Sequence, residues 1–452
     1  MAAATMIDSV VFGGLWSHRA IKALFEEDRR TLAWLEIIAV LAEVQAEFEL
    51  IPSSAARAIA TSCRAIEVGA GFLEEVRQGR EASGHSMQGL IRAVQARLTP
   101  GDAQWVYAGA TVQDVTDTWL MMALRDAHRM LEEDLRRVLK SLATLARQYR
   151  DTPMAGRTHG QQGLPITFGF KVAVWLAEAQ RHHQRLTEIT SRMGIAQLAG
   201  GVGSVSSLGG RGLEVQRRFA ERLGLTAPRV SWTSSRDVLA EWCGLLAMIS
   251  ATADRIGHEV YNLQRSEIAE VREGLVDGTV GSITMPHKRN PEIAEHLGSL
   301  ARLVRHLAAA VNESLVQDHE RDGRAWKTEW HAVPEVTMMA GRAVELLAQM
   351  LSSLEVDSVR MSSNLQACGG VVISEAVMLA LAPHIGRDAA HSLMYELSLA
   401  ASAKGLALTE AVRTDRRITS LLSAAEVVAL LDIASHTGRC AEMVDRVLAG
   451  TP

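Results

Sequence analysis

Apolar positions recur at helical spacing over most of this chain. Within residues 116–150, Leu120, Leu124, Leu131, Leu135, Val138, Leu142 and Leu145 step by three, four or seven residues and line one face of a helix. At 1.5 Å per residue such a helix is on the order of 50 Å long, a length suited to a bundle shared between subunits. Residues 28–49 carry the same periodicity, and further long stretches cover 165–192, 234–272, 291–318 and 330–354. Pro165 and Pro291 each read as a helix start. Shorter helical patterns fill 53–98, broken around Gly79–Gly84, and 356–450, where "GRD", "KG" and "RTD" mark turns. Runs of period two are almost absent. The pattern predicts an all-α chain with five long helices in its middle. It divides near residues 110 and 356, into 1–110, 111–355 and 356–452.

Composition narrows the class. A chain of 452 residues has room for about three domains of about 150 residues. With 48% hydrophobic residues it can build a large core, and its abundant Ala, Leu, Arg and Glu favour helix. A net charge of −5 with no basic stripe speaks against nucleic-acid binding. Cys63, Cys243, Cys368 and Cys440 show no CxxC spacing, which fits free thiols in a reducing compartment. The first residues lack a basic flank followed by an apolar run, and no charge-free apolar run of about 18 residues occurs. No signal peptide and no membrane span are expected, and the expected location is the cytoplasm.

Candidate chemistry lies in the loops. In "YAGATVQDVTDT", 107–118, Thr111, Gln113, Asp114 and Asp117 stand where the longest helix begins. Free N–H groups and the helix dipole favour an anion there, but ordinary capping by Asp114 or Thr116 accounts for the same residues. In "AGRTHGQQGLPITFG", 155–169, Arg157, Thr158, His159 and Gln161 crowd around Gly156 and Gly160. Glycine lets backbone approach a ligand closely, and His159 reads equally as a catalyst or a structural histidine. His182 and His183, among Arg and Gln, read as a solvated face with no ligand spacing for a metal. In "VDGTVGSITMPHKRNP", 276–291, Lys288 and Asn290 suit a carboxylate. Ser282 has neither triad spacing nor a GxSxG elbow, and a flexible polar loop is the competing reading. The charge-dense "QDHERDGRAWKTEW", 317–330, reads as a further site segment or a helix junction.

Together these segments resemble the fumarase/aspartase superfamily. "GSITMPHKRNP" is similar to its Gly-Ser-Ser-x-Met-Pro-x-Lys-x-Asn-Pro signature, and "GRTHGQ" and "GATVQDVTDT" to its other two active-site segments, in the right order. The opening "FEEDRRTLAWLEIIAVLAEVQAEFELIP", the "HERDGRAWKTEW" segment and the closing "EAVMLALAPHIGRDAAHSL" look like the 3-carboxy-cis,cis-muconate cycloisomerase branch, whereas "RTHGQ" looks like the adenylosuccinate lyase branch.

The resemblance implies three mostly helical domains and a central five-helix bundle. It implies a homotetramer whose active sites each draw on three subunits. It also implies a di- or tricarboxylate substrate, with no cofactor, metal, nucleic acid or membrane. By motif, Ser282 would be the general base that removes a proton beside a substrate carboxylate. Lys288 and Asn290 would bind that carboxylate, and Met285 would lie in the substrate site. His159 would be the general acid that protonates the leaving group, or a contact to that group, and Glu295 would orient it. Thr111, Gln113, Asp114 and Thr158 would line the site, as would His85 and Gln264, with Arg324 and Lys327 reading the remote part of the substrate. Proton loss beside a carboxylate builds a dianionic aci-carboxylate, so fixed donors must wait where charge develops. A serine base must be ionised by its surroundings, and Gly278 and Gly281 suit a lid that expels water.

Some positions depart from the pattern. Ile283 and Val112 each replace a serine, the latter weakening any phosphate site, and an N-terminal Arg-Tyr motif is missing. Val112 and the missing Arg-Tyr motif argue against a nucleotide substrate. His159 stands where the cycloisomerases tend to have Trp. The leading expectation is therefore a cofactor-free lyase that cleaves a C–N or C–O bond by β-elimination from a succinyl-type substrate, releasing fumarate or a substituted fumarate. The first alternative is 3-carboxy-cis,cis-muconate cycloisomerase, ahead of adenylosuccinate lyase. A non-catalytic homologue is the other class, and intact Ser282, Lys288, Asn290 and His159 weigh against it.

Overall fold

The structure, a computed structural model, describes residues 4–275, 278, 281–285 and 287–450. Val276, Asp277, Thr279, Val280 and Pro286 of the signature segment lie outside the described residues. The chain divides into two compact units. The first comprises Met1–Leu135, His182–Ala253 and His296–Glu345; the second comprises Arg136–Arg181, Asp254–Glu295 and Leu346–Pro452.

The periodic stretches are helices. After α1 (Glu27–Glu47), α2 (Ser53–Ala65), α3 (Ala70–Ser83) and α4 (Gln88–Gln95) comes the longest, α5 (Val112–Gln148). The other long helices are α6 (Phe168–Ile189), α8 (Asp237–Gln264), α9 (Glu292–Glu313) and α10 (Gly323–Ser352), with the shorter α7 (Gly212–Arg222) between them. The tail holds α11 (Ser358–Ala367), α12 (Ser374–Ile385) and α13 (Arg387–Ala403), followed by shorter helices. The all-α reading thus stands.

Each unit has its own core. In the first, Leu35, Ile38 and Leu41 of α1 pack with Ile59 of α2, Leu90 of α4 and Phe219 of α7. In the second, Leu365, Val377, Leu381, Leu393 and Leu397 form a cluster that includes Ala155. Full burial of each such side chain contributes roughly 1.5–3 kcal/mol.

Three local expectations are corrected. Pro165 does not open a helix. It lies in β2 (Gln161–Thr167), which pairs antiparallel with β1 (Pro153–Thr158), and α6 begins at Phe168. The hairpin forms because His159 (φ 52°) and Gly160 (φ 75°) both take the left-handed conformation that a two-residue turn demands. A two-stranded ribbon leaves edges free, so Pro165 breaks no ladder that the fold needs. Second, α10 begins at Gly323, seven residues before the expected 330, because charge density in "GRAWKTE" hides its apolar spacing. Third, His182 is not on a solvated face. It falls on the helical stripe of Leu186 and Ile189 and is buried, with Nε2 against Thr252 Oγ1 at 2.8 Å. Half-buried His183 faces Glu132 at 3.6 Å.

No single helix among the described residues is long and apolar enough to cross a membrane. All four cysteines are free thiols, and burial, helped by the Glu36 charge, pushes Cys63 up to about 12.

Candidate active site

The second unit carries the histidine hairpin and the signature segment. Thr158 and His159 are exposed at the hairpin tip. A left-handed backbone is uncommon outside glycine, so the His159 conformation is imposed by the turn. Gly156 is dictated as well, since a Cβ there would stand 2.7 Å from the Leu164 carbonyl oxygen. Below the tip, Arg157 Nη1 and Nη2 donate to Glu270 Oε2 and Oε1 at 2.9 and 2.6 Å. The Glu270 side chain is 0% exposed, and Asn364 Nδ2 donates to the same Oε1 at 2.9 Å. The hairpin that presents His159 is therefore tied to the segment leading into the signature.

That segment passes through a two-residue strand, β3 (Val271–Arg272), paired with β4 (Glu355–Val356). Glu273 follows. Its N–H donates to Gln264 Oε1 at 2.8 Å, and Gln264 Nε2 donates to the Arg289 carbonyl at 3.0 Å. Gln264 thus bridges the two stems of the loop with both ends of its amide. The Glu273 carboxylate accepts from the N–H groups of Ile293 at 3.0 Å and Ala294 at 2.7 Å, in the first turn of α9. Burial pushes its carboxyl up, against the pull of those two N–H groups, and the Glu292 and Glu295 charges push it further up. Arg289 donates through Nη2 to the Glu273 carbonyl and pairs with Glu355 through both terminal nitrogens.

Inside the loop, Ser282 Oγ accepts from the Met285 N–H at 3.2 Å. Such a bond favours the ionised form of an oxygen. The Lys288 N–H donates to the Met285 carbonyl at 2.9 Å, and the Asn290 N–H to the Gly281 carbonyl at 3.4 Å. A Cβ on Gly281 would meet the Lys288 carbonyl at 2.7 Å, so this turn requires glycine. Met285 and Lys288 are exposed, Ile283 is 97% exposed, and Asn290 Nδ2 donates to Glu292 Oε1 at 3.4 Å. Glu295 is exposed in the first turn of α9.

The first unit carries the remaining candidates. Asp114 is buried at the start of α5 and accepts three backbone N–H groups, from Thr111, Ala199 and Gly200, at 2.8, 2.9 and 3.1 Å. Burial raises its pKa, the three N–H groups oppose that, and the Asp117 charge adds to the rise. Gln113 is also buried. Its Nε2 donates to the Thr233 carbonyl at 3.1 Å and its Oε1 accepts from Arg321 Nε at 2.5 Å. Thr111 is half-buried and His85 exposed, with His85 Nδ1 accepting the Met87 N–H at 3.4 Å. Arg324 pairs with Asp318 and Asp322 at 2.5 and 2.7 Å, and Lys327 is exposed.

Several structural participants carry no sequence signal. Glu270 lies 113 residues from Arg157, and no motif links them. Glu273 looks like one acid among many in "IAEVREG". Arg236 sits between Asp117 and Glu329 at 2.7 and 2.6 Å with all three side chains buried, just behind Gln113. Arg321 was embedded in a charged run, yet its Nη2 and the Tyr107 hydroxyl are buried with no partner among the described residues. No cluster of three or more His, Cys, Asp or Glu residues suited to a metal occurs among the described residues.

The chain is similar to known proteins along nearly all of its length. Residues 15–305 fit the family model described as "Lyase", and 370–447 the "Adenylosuccinate lyase C-terminus". The chain is 38% identical to an N-acetyl-S-(2-succino)cysteine lyase of Enterococcus italicus, over 98% of this chain and 97% of that one. It is 36% identical to a 3-carboxy-cis,cis-muconate cycloisomerase of Bradyrhizobium diazoefficiens, over 97% and 98%. The crystal structure of the 3-carboxy-cis,cis-muconate lactonizing enzyme from Pseudomonas putida superposes with a TM-score of 0.90 at 32% identity, covering 98% of both chains. The signature, the hairpin and the α5 start, carried on a fold shared end to end with these enzymes, place the chain in the fumarase/aspartase superfamily, as a lyase of its adenylosuccinate lyase and carboxymuconate cycloisomerase branch.

Proposed function

We propose that the protein splits the C–S bond of an S-succinyl thioether by β-elimination, giving fumarate and a thiol. The observation that carries this reading is the end-to-end likeness to a succinocysteine lyase at 38% identity, together with an intact Ser282, Lys288 and Asn290 set. Sulfur replaces the nitrogen or oxygen that the motifs alone suggest as the leaving atom.

Ser282, ionised in the closed site, takes a proton from the succinyl carbon beside one carboxylate. The electrons pass into that carboxylate, and Lys288 and Asn290 stabilise the dianion. They then form the C=C bond of fumarate as the C–S bond breaks, and the sulfur leaves as thiolate. A thiol with a pKa near 8.5 is a far better leaving group than an amine, so less is asked of His159 as proton donor. Thr158 and Met285 would line the site, with Gln264 and Glu295 supporting it. The Thr158–His159 hairpin would reach that substrate from a second copy of the chain, and Thr111, Gln113, Asp114, His85, Arg324 and Lys327 from further copies. We propose a homotetramer with sites drawn from three subunits, a three-part division near residues 110 and 356, and a cytoplasmic location. Exposure of Thr158 and His159 at a hairpin tip supports the sharing, because a general acid needs shielding from water to act.

The second reading, lactone formation from 3-carboxy-cis,cis-muconate, is favoured by the cycloisomerase relatives. A direct comparison separates the two. The purified protein is offered S-(2-succino)-N-acetylcysteine, N-substituted aspartates and 3-carboxy-cis,cis-muconate at equal concentration. The proposal expects the thioether to give the highest kcat/KM. Turnover of carboxymuconate alone would replace it with the second reading.

A further inference from the structure

We propose that Glu273 is a positioning residue for the reaction: one carboxylate latches both stems of the Ser282 loop and sets where Ser282 and Lys288 stand. The inference rests on the reading of those two residues as base and carboxylate ligand.

Helix α9 has no cap from the residues just before it. Helices commonly satisfy their first free N–H groups with a Ser, Thr, Asp or Asn just before the helix. Before α9 stands Pro291, which has no side-chain oxygen, and Asn290 points its amide donor at Glu292. The N–H groups of Ile293 and Ala294 are instead met by Glu273, from 20 and 21 residues upstream. Both carboxylate oxygens are used, one for each N–H. Glu273 is also fixed at its own backbone: its N–H bonds to Gln264 and its carbonyl accepts from Arg289. The residue that ends the first stem therefore caps the helix that forms the second.

A local cap would stabilise α9 equally well while leaving the loop free to pivot. The long-range cap closes the loop at its base, and Ser282, Lys288 and Asn290 lie between its two stems. Ser282 and Lys288 must be placed to within a fraction of an ångström for proton removal and charge stabilisation to act together. The base of the loop is the point where such placement is set. Gln264 repeats the closure one layer away, from the Glu273 N–H to the Arg289 carbonyl.

The test uses the full-length protein with Glu273→Gln, which keeps size but offers only one acceptor oxygen, and with Glu273→Asp, which keeps charge but shortens reach. Amide exchange of Ile293 and Ala294, read by NMR or mass spectrometry, should quicken at least tenfold in Glu273→Gln. Turnover of the thioether should show kcat down at least tenfold with KM changed less than threefold, in a protein that melts as one cooperative transition. Glu273→Asp should fall between the two. Unchanged exchange at Ile293 and Ala294 overturns the latch, and so does normal kcat with quickened exchange, which would leave a plain helix cap. Exchange is read without substrate, so it stands even when the wild type releases no fumarate. That last result would overturn the proposed function instead.

Discussion

Arg157 and Glu270 meet in a bidentate pair at 2.9 and 2.6 Å, with the carboxylate fully enclosed. The pair joins the hairpin of His159 to the strand that leads to Ser282. Removing the cation would leave a buried carboxylate whose remaining side-chain partner among the described residues is Asn364. The loss of one member of a buried pair costs about 3–5 kcal/mol. Arg157→Ala is expected to lose that much stability in denaturant titration. Arg157→Lys, a point charge without the fork, should recover part of the stability but leave kcat reduced about tenfold, because the hairpin is held less rigidly.

The buried set Asp117–Arg236–Glu329 holds two carboxylates and one guanidinium. Burial raises the Glu329 pKa, Arg236 opposes this, and the Asp117 charge adds to the rise. A carboxyl whose folded pKa lies above its unfolded value stabilises the fold while protonated. That contribution is complete below the ordinary glutamate value of 4.5 and is lost as pH rises through the raised one. Glu329→Gln should therefore cost little near neutral pH, and its melting temperature relative to wild type should rise as pH is raised above 4.5. Arg236→Ala, which strands both acids, should lose about 3–5 kcal/mol near neutral pH. Thermal melts across pH measure both.

Asp114 is buried beneath three backbone N–H groups. Each buried donor left unsatisfied costs about 1–3 kcal/mol. Asp114→Ala should therefore destabilise the first unit severely, whereas Asp114→Asn, which retains one acceptor oxygen, should be milder. Urea midpoints at constant m-value would report the difference.

If each site draws on several copies, two inactive variants can repair one another. His159→Ala and Ser282→Ala should each be inactive. Unfolded together and refolded as a mixture, they should regain activity through sites that combine an intact His159 with an intact Ser282. No recovery, with the mixed oligomer verified by native mass spectrometry, would contradict sharing between subunits.

Much of the fold was legible because long helices write their period plainly. The five long stretches became α5, α6, α8, α9 and α10 with ends shifted by up to eight residues, the largest shift being α8, which stops at Gln264 where the period suggested 272 and gives way to the strand β3. The β1–β2 hairpin was not legible, since its signal is a His-Gly turn whose left-handed His159 no propensity favours. His182 misled because its Arg and Gln neighbours describe the other faces of α6. The signature segments could be found by local motif. Their supports, Glu270, Glu273 and Arg321, could not. Each is defined by a partner about 20 to 210 residues away, and a long-range ion pair or cap leaves no mark in local spacing.

The most direct test follows fumarate and free thiol together from S-(2-succino)-N-acetylcysteine, with wild type and Ser282→Ala. Wild type should release the two products in equal amounts. Ser282→Ala should be slower by about 100- to 10,000-fold, the usual worth of a general base. Thiol and fumarate release at the wild-type rate in Ser282→Ala would contradict Ser282 as the general base.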